Sequence, residues 1–149
     1  MKTLADNKRA WHDFEILEKF QAGLVLTGAE VKSAKLGRAS LQGAYVLPRG
    51  SALWLTGMNI AAYAPAKGSG QELSPDRDRK LLLNRRELDS IIGRLGQGGL
   101  TVVPLSLYTT HGLVKIELGL GRGKTKYDKR ATIKKRETDR EIRSSLKLR

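Results

Sequence analysis

The stretch LTVVPLSLYTTHGLVKIELGL, from Leu100 to Leu120, decides the fold class. Its first part, Leu100 to Tyr108, is rich in Val, Leu and Thr, which is typical of a strand. The next four residues, Thr109-Thr-His-Gly112, predict a turn. Apolar residues at the even positions from 114 to 120 then alternate with polar residues or glycine, the period of a half-buried strand. The stretch therefore predicts a β-hairpin.

Short apolar or alternating segments bounded by glycine or proline predict further strands elsewhere in the chain. The turn signal Pro48-Arg-Gly50 separates two of them and favours a second hairpin. The segment 65–75 contains mainly Pro, Gly, Ser and Lys, which predicts a surface loop. The predicted strands cover 12–20, 23–28, 30–35, 41–47 and 53–56, with an extension over 58–63.

One helix is predicted between the loop and the first hairpin. Asn84 is a suitable N-cap, and Glu87 three positions later resembles a capping box. Glycines at 96, 98 and 99 end the helix. Its apolar stripe follows the i, i+3, i+4, i+7 spacing and consists of Leu88, Ile91, Ile92 and Leu95.

Some six short strands, regular turn signals and one helix predict an all-β fold, a β-barrel with added helices. An aromatic content of 5% is low for a sandwich core and suits a tight, small barrel. We expect an antiparallel Greek-key barrel like the oligonucleotide/oligosaccharide-binding (OB) fold, with flanking α-helices and a basic C-terminal tail.

The segment 122–149 differs in composition from the rest of the chain. It contains twelve Lys or Arg and four Asp or Glu, which is a net +8 of the chain's +13. Its few large apolar residues cannot offset the entropy of ordering it. We therefore expect a barrel over 1–121 and a tail over 122–149 that is disordered alone and folds against a polyanion.

Composition also limits the kinds of catalytic or metal-binding site that the chain can form. The absence of cysteine excludes disulfides, thiol catalysis and thiolate metal sites. The two histidines, His12 and His111, do not suggest a zinc site, and no nucleophile–base–orienter set is indicated. We expect no catalytic residue, metal or cofactor, with ribonuclease-type acid–base chemistry by the two histidines as the alternative. Without a run of 18 apolar residues or a signal-peptide pattern, the expected location is cytoplasmic, with no membrane partner.

Basic clusters in a chain of pI near 10.3 favour nucleic acid as the partner. Arg77, Arg79 and Lys80 precede the predicted helix, and Arg85 and Arg86 oppose its dipole, which suggests a phosphate bound between these cations. The alternative interpretation is that Asp76 and Asp78 pair with the arginines on a solvated surface.

Two smaller groups of residues also allow two interpretations each. Lys8 and Arg9 with Trp11 form a basic-aromatic cluster that could stack on a nucleotide, or Trp11 could close one end of the barrel. Glu30, predicted to lie beside Lys32 in a strand, is either a surface partner of that lysine or an acceptor for base amino groups.

Six short segments, taken in order along the chain, carry a family resemblance: Asn7-Lys-Arg-Ala10, Ala22-Gly23, Gly28-Ala-Glu-Val-Lys-Ser33, Arg79-Lys-Leu-Leu-Leu-Asn84, Val103-Pro-Leu-Ser-Leu-Tyr108 and Gly123-Lys-Thr-Lys-Tyr-Asp-Lys-Arg130. In register, these segments resemble the small protein B family, the tmRNA-binding (SsrA-binding) proteins of bacterial trans-translation. The resemblance covers about 7–137.

The resemblance implies a non-catalytic RNA-binding adaptor with an OB-like barrel. Such an adaptor binds the tRNA-like domain of tmRNA by shape and backbone, and replaces the missing anticodon arm. As a monomer in a 1:1 complex, with elongation factor Tu, it delivers alanyl-tmRNA to stalled ribosomes. The nascent chain is then tagged for proteolysis and the ribosome is rescued.

The resemblance also assigns site residues. Leu82 and Asn84 match positions implicated in tmRNA binding, and Gln21 matches a third position that is usually acidic. Gln21 keeps a hydrogen-bond acceptor but loses the charge. With the clusters above, the full predicted tmRNA-binding set is Lys8, Arg9, Trp11, Gln21, Glu30, Lys32, Arg79, Lys80, Leu82 and Asn84.

The tail is implied to contact the small ribosomal subunit rRNA. A ring at Tyr127 would stack on a base of the decoding centre, and the following residues would become helical in an empty mRNA channel. Like-charged pairs such as Glu137–Glu141 predict that this helix is marginal in water. The predicted set is Tyr127, Asp128, Lys129, Arg130, Lys134, Lys135 and Arg136.

Two other classes fit the composition. A structural ribosomal protein also carries basic tails that thread rRNA. A generic single-strand RNA-binding barrel or ribonuclease would need an aligned aromatic platform, which the sequence does not make evident.

Overall fold

The computed structural model describes residues 1–63 and 74–124. Three helices lie in these ranges: α1 (Lys8–Asp13), α2 (Gly28–Lys35) and α3 (Arg85–Gly96). The strands are β1 (Lys2–Asp6), β2 (Phe14–Leu24), β3 (Ala39–Ser40), β4 (Tyr45–Arg49), β5 (Ala52–Thr56), β6 (Asn59–Ile60), β7 (Arg79–Leu82), β8 (Thr101–Thr110) and β9 (Leu113–Gly123).

Seven strands form one antiparallel sheet in the order β1-β8-β9-β2-β7-β5-β4. The predicted β8–β9 hairpin is confirmed, and it inserts between β1 and β2. A two-stranded sheet of β3 and β6 accompanies it. The all-β class with added helices is therefore confirmed. Among the described residues the edge strands β1 and β4 do not pair, so the OB-like sheet is open rather than closed by a hydrogen-bonded ring.

The inner face of the curled sheet holds the main core. Leu53, Leu55, Leu107 and Ile116 are fully buried there, and Ile91 of α3 packs against them. Alternate residues of each strand point to this face, which is why the period-two pattern predicted the strands. The register shifts by one residue at three places in β1, β2 and β8, and such bulges bend a strand.

A close approach of two backbones makes one glycine obligatory. Gly121 on β9 pairs with Ile16 on β2. A Cβ atom at position 121 would lie 2.1 Å from the carbonyl oxygen of Glu15. Any side chain there would push β2 and β9 apart, so the curvature of the sheet depends on this residue.

Several predicted elements are confirmed. Helix α3 starts after the Asn84 cap, and β4 and β5 form the second predicted hairpin. The extension predicted over 58–63 is short and pairs with β3 instead of continuing β5. Of the loop predicted over 65–75, residues 65–73 lie outside the described residues.

The segment predicted as strand over 23–35 is wrong for most of its length. Strand β2 ends at Leu24, and Val25 is 46% exposed instead of buried. Residues 28–35 form α2, because Thr27 and Glu30 make a complete capping box. The predicted strand over 12–20 begins only at Phe14, because α1 occupies the residues before it.

Candidate RNA-binding surface

The outer face of strands β2 and β7 brings three of the predicted residues together. Gly23 on β2 pairs with Leu82 on β7. Side chains along each strand alternate between the core and the outside, so paired residues of the two strands lie on the same face. Lys80 and Leu82 point outward, whereas Arg79 and Leu81 point to the core. Gln21 lies on the same outer face, two residues before Gly23. Leu82 is 50% exposed, which is unusual for a leucine in a central strand.

Asn84 joins this face to the start of α3. Its Oδ1 accepts a hydrogen bond of 2.8 Å from the backbone N–H of Glu87, and its amide nitrogen donates to the Glu87 carboxylate. The cap places Arg85 and Arg86, both exposed, in the first turn of α3 beside the same face. The face therefore combines an exposed leucine, an amide and several cations, which suits a nucleotide with its phosphate.

Gln21 has an acidic neighbour across the sheet. It is directly opposite Glu117 on β9, and side chains at paired positions lie on the same face. The half-buried Glu117 thus brings a carboxylate beside the position where the family resemblance expects an acidic residue.

Arg79 is the most deeply buried cation of the described chain, with no exposed surface. Its Nε and Nη2 donate to Oε2 of Glu30 at 2.9 and 2.8 Å. The remaining N–H groups donate to the carbonyl oxygens of Met58, Arg77 and Pro75 at 2.6, 3.1 and 2.8 Å. All five guanidinium donors are satisfied within the protein, so Arg79 supports the site from inside.

Glu30 connects this arginine to helix α2. Its Oε1 accepts from the backbone N–H of Thr27 at 3.0 Å and from Arg77. Burial alone would raise the pKa of Glu30, but the hydrogen bonds from Arg77, Thr27 and Arg79 outweigh it and lower the pKa below its usual value. The ionised Glu30 therefore ties the start of α2 to the start of β7, the strand that presents Leu82.

The alternative prediction, that Asp76 and Asp78 pair with the neighbouring arginines, is wrong for Arg77 and Arg79. Arg77 and Arg79 pair with Glu30, which lies 47 and 49 positions away. Asp78 pairs with Arg49 instead, and this hydrogen bond lowers the pKa of the Asp78 carboxyl. Asp76 accepts from the hydroxyl of Ser74, which lowers its pKa in the same way.

Helix α1 carries the second predicted cluster. Lys8 is exposed, and the 86% exposed Arg9 pairs with Asp13 at 3.3 Å. Trp11 is half-buried against a small cluster of Ala10, Val103 and Leu105, and the Nζ of Lys19 lies 4.9 Å from its ring centre. Trp11 thus packs α1 onto the outside of the sheet.

Lys32 is exposed on α2, and its Nζ lies 5.6 Å from the ring centre of Tyr63. The prediction that Lys32 and Glu30 share a strand is wrong, because both belong to α2. Sequence reasoning also missed Arg77 as a partner of Glu30. The Thr27-x-x-Glu30 spacing, a capping-box signal, was available to indicate the helix.

The two histidines lie in different parts of the fold. His12 is hydrogen-bonded to Asp13 at 2.8 Å, whereas His111 lies in the β8–β9 turn with a φ of 50°. Residues 1–63 and 74–124 hold no group of three or more His, Cys, Asp or Glu that could bind a metal ion. No described helix is long and apolar enough to cross a membrane.

The predicted ribosome-contacting residues, from Tyr127 to Arg136, lie outside the described residues. The predicted domain boundary at residue 121 falls within β9, which continues to Gly123. The last described residue, Lys124, is held against α1: its backbone N–H donates to the Asp13 carbonyl at 2.9 Å, and its Nζ donates to the Trp11 carbonyl at 3.0 Å.

Proteins named SsrA-binding protein are similar in sequence to this chain over nearly its whole length. A relative from Coprothermobacter proteolyticus, named SsrA-binding protein, is 47% identical over all of this chain and 99% of its own length. The SsrA-binding protein of Salinispora tropica is 47% identical and covers 95% of this chain and 87% of its own.

One solved structure, described as "tmRNA-SmpB: a journey to the center of the bacterial ribosome", contains a similar chain. That chain is 43% identical, with a TM-score of 0.65 over 81% of this chain and 84% of its own length. The family model described as SmpB protein matches residues 4–148. The chain therefore belongs to the SmpB protein family.

Proposed function

We propose that this chain binds the tRNA-like domain of tmRNA, the SsrA RNA, and delivers alanyl-tmRNA to stalled ribosomes in the cytoplasm for trans-translation. The observation that carries the proposal is the 47% identity, over its whole length, to a protein named SsrA-binding protein. In this function the chain acts as a binding adaptor, as a monomer on one tmRNA and together with elongation factor Tu, and not as a catalyst.

The exposed face of β2, β7 and the start of α3 is the proposed tmRNA contact. Leu82 supplies apolar surface, Asn84 and Gln21 supply hydrogen-bonding groups, and Lys80 supplies positive charge. These groups stand on two adjacent strands and a helix cap, which hold them rigidly for recognition of RNA shape. Lys8 and Arg9 of α1 provide a separate contact for the RNA backbone.

Glu30 and Arg79 act within this site as positioning residues. Both are buried, and their hydrogen bonds fasten α2 to β7, so they set the position of Leu82 without touching the RNA. This arrangement explains how two charged residues of the predicted set can serve tmRNA binding although neither faces solvent.

The tail residues Tyr127 to Arg136 are proposed to contact the decoding centre and the empty mRNA channel of the small subunit. A cationic segment suits a channel lined by rRNA phosphates, and occupying an empty channel needs no readout of bases. The support for this part is the composition of the tail and the match of the family model through residue 148.

The direct test is to crosslink the purified protein to total bacterial RNA and to sequence the bound RNA. We expect tmRNA to be enriched above all other species, with crosslinks concentrated in its tRNA-like domain. Recovery of ribosomal RNA alone would instead indicate a structural ribosomal protein. Recovery of mixed RNA, or of cleaved RNA, would indicate a generic RNA-binding protein or a ribonuclease.

A further inference from the structure

The outer face of the sheet continues beyond β7 onto strands β5 and β4. Trp54 on β5 is paired with Lys80 on β7, and Leu47 on β4 is paired with Trp54. On the other side, the backbone N–H of Val25 donates to the carbonyl oxygen of Lys80 at 3.1 Å. Leu47, Trp54, Lys80 and Val25 therefore form one row across the sheet, next to Leu82.

This row is unusually apolar for a solvent-facing surface. Eight large apolar side chains are exposed in the described part of the chain, and four of them lie on this face. They are 39 to 50% exposed and comprise Val25, Tyr45, Leu47 and Leu82. Single exposed apolar residues need no explanation, but a contiguous group on a rigid sheet indicates a binding surface.

Arg49 supplies a fixed cation at the β4 end of the row. Its guanidinium carbon lies 5.3 Å from the ring centre of Trp54, and its Nη2 pairs with Asp78. The ring and the carboxylate hold the guanidinium in place, yet the Arg49 side chain is still 49% exposed. A planar cation held in this way can stack on a base and donate to a phosphate.

We propose that this row together with Arg49, called here the outer strip (Val25, Leu47, Arg49, Trp54 and Lys80), binds an unpaired nucleotide of the RNA. Its base lies against Leu47 and the Arg49–Trp54 stack, and its phosphate lies near Lys80. The proposal rests on the proposed function and extends the tmRNA contact to the β4–β5 hairpin.

Charge favours RNA over an apolar protein partner as the occupant. Arg49 lies beside Leu47 and Trp54, Lys80 lies between Trp54 and Val25, and the acid that contacts Arg49, Asp78, is already paired with it. Alternating apolar and cationic groups on a sheet surface are typical of sites where a base stacks while its phosphate is neutralised.

Two variants test the outer strip by gel shift and calorimetry with a tRNA-like-domain fragment of tmRNA and the full-length protein. Arg49→Gln and Leu47→Ser should each weaken binding about tenfold, the scale of one base-stacking contact. The matched control is Leu36→Ser, because Leu36 is 61% exposed and lies beyond the end of α2, outside the outer strip. Thermal unfolding followed by circular dichroism verifies that each variant is folded.

A second readout does not depend on mutation of the strip. In protein labelled with ¹⁵N-tryptophan, the indole N–H signal of Trp54, the one that remains in Trp11→Phe, should shift when the fragment is added. If the wild type binds the fragment but both variants bind equally well and the Trp54 signal stays fixed, the outer strip proposal is wrong while the proposed function stands. Loss of ribosome binding by the variants with intact fragment binding would mark the strip as a ribosome contact and also overturn the proposal. If the wild type does not bind the fragment, both proposals fail.

Discussion

At the scale of single residues, the capping role of Asn84 and its proposed RNA contact can be tested separately. Its side chain caps α3, and its exposed amide stands beside Leu82 on the proposed tmRNA contact. Capping uses Oδ1 and one amide N–H of Asn84, so the capping geometry does not argue against RNA binding through the second N–H.

We expect Asn84→Ala to weaken tmRNA binding by more than it destabilises the fold, since loss of a cap costs about 1 kcal/mol. Asn84→Ser keeps a capping oxygen but loses the amide, so we expect its binding to tmRNA to be weakened as well. The measurements are calorimetric affinity for tmRNA and urea unfolding. Normal tmRNA binding by Asn84→Ser would mean that capping is the whole role of the residue.

Glu30 is the residue whose loss should harm the fold most among the predicted site residues. Glu30→Gln leaves the fully buried Arg79 without its counter-ion, and breaking a buried pair in this way costs about 3–5 kcal/mol. Urea unfolding of Glu30→Gln against the exposed control Glu15→Gln measures the difference. Equal stabilities of the two variants would contradict the positioning role of Glu30.

The Glu30 carboxyl also predicts how the stability of the protein changes at acid pH. The folded-state pKa of Glu30 lies below its ordinary value of 4.5, so the folded protein binds the proton less readily than the unfolded chain. The stabilisation is therefore present above that ordinary value and is lost as the pH falls through the lowered pKa. Melting temperatures from about pH 6 to about pH 3 should fall less steeply for Glu30→Gln than for the wild type; parallel curves would contradict this assignment.

At the scale of elements, the sequence correctly predicts those elements whose apolar residues follow a clear helix or strand period. The β8–β9 hairpin and α3 follow their periodicities, and the cap of α3 is formed by the residue that the pattern indicates. Helix α2 was missed because its apolar residues show no clear stripe and a glycine begins it. Its only strong signal was the Thr27–Glu30 capping box.

The close approach of β2 and β9 gives an element-scale prediction. Gly121→Ala places a methyl group on the Glu15 carbonyl, so it should destabilise the protein by about 3 kcal/mol, at or above the usual range for overpacking. Gly93→Ala is the matched control, because its Cβ would meet no atom within 4 Å and alanine favours a helix. Thermal unfolding of the two variants should move in opposite directions. A harmless Gly121→Ala would contradict the close strand packing.

At the scale of the whole molecule, the proposed RNA-binding surface is made by contacts distant in sequence. Residue types suggested that Arg79 and Lys80 contact RNA together, but strand alternation sends one inward and the other outward. The pairing of Glu30 with Arg79 spans 49 positions, and the row from Leu47 to Lys80 depends on strand register. Neither could be predicted from local pattern, because both follow from how the sheet is assembled.

The proposed function divides the molecule into a tmRNA-binding body and a ribosome-probing tail. Its most direct test is a chain ending at Tyr127, compared with the full chain for two quantities: affinity for tmRNA and tagging of nascent chains on ribosomes stalled in a purified translation system. We predict nearly unchanged affinity for tmRNA and abolished tagging. Loss of tmRNA affinity in the shortened chain, or normal tagging by it, would contradict the account.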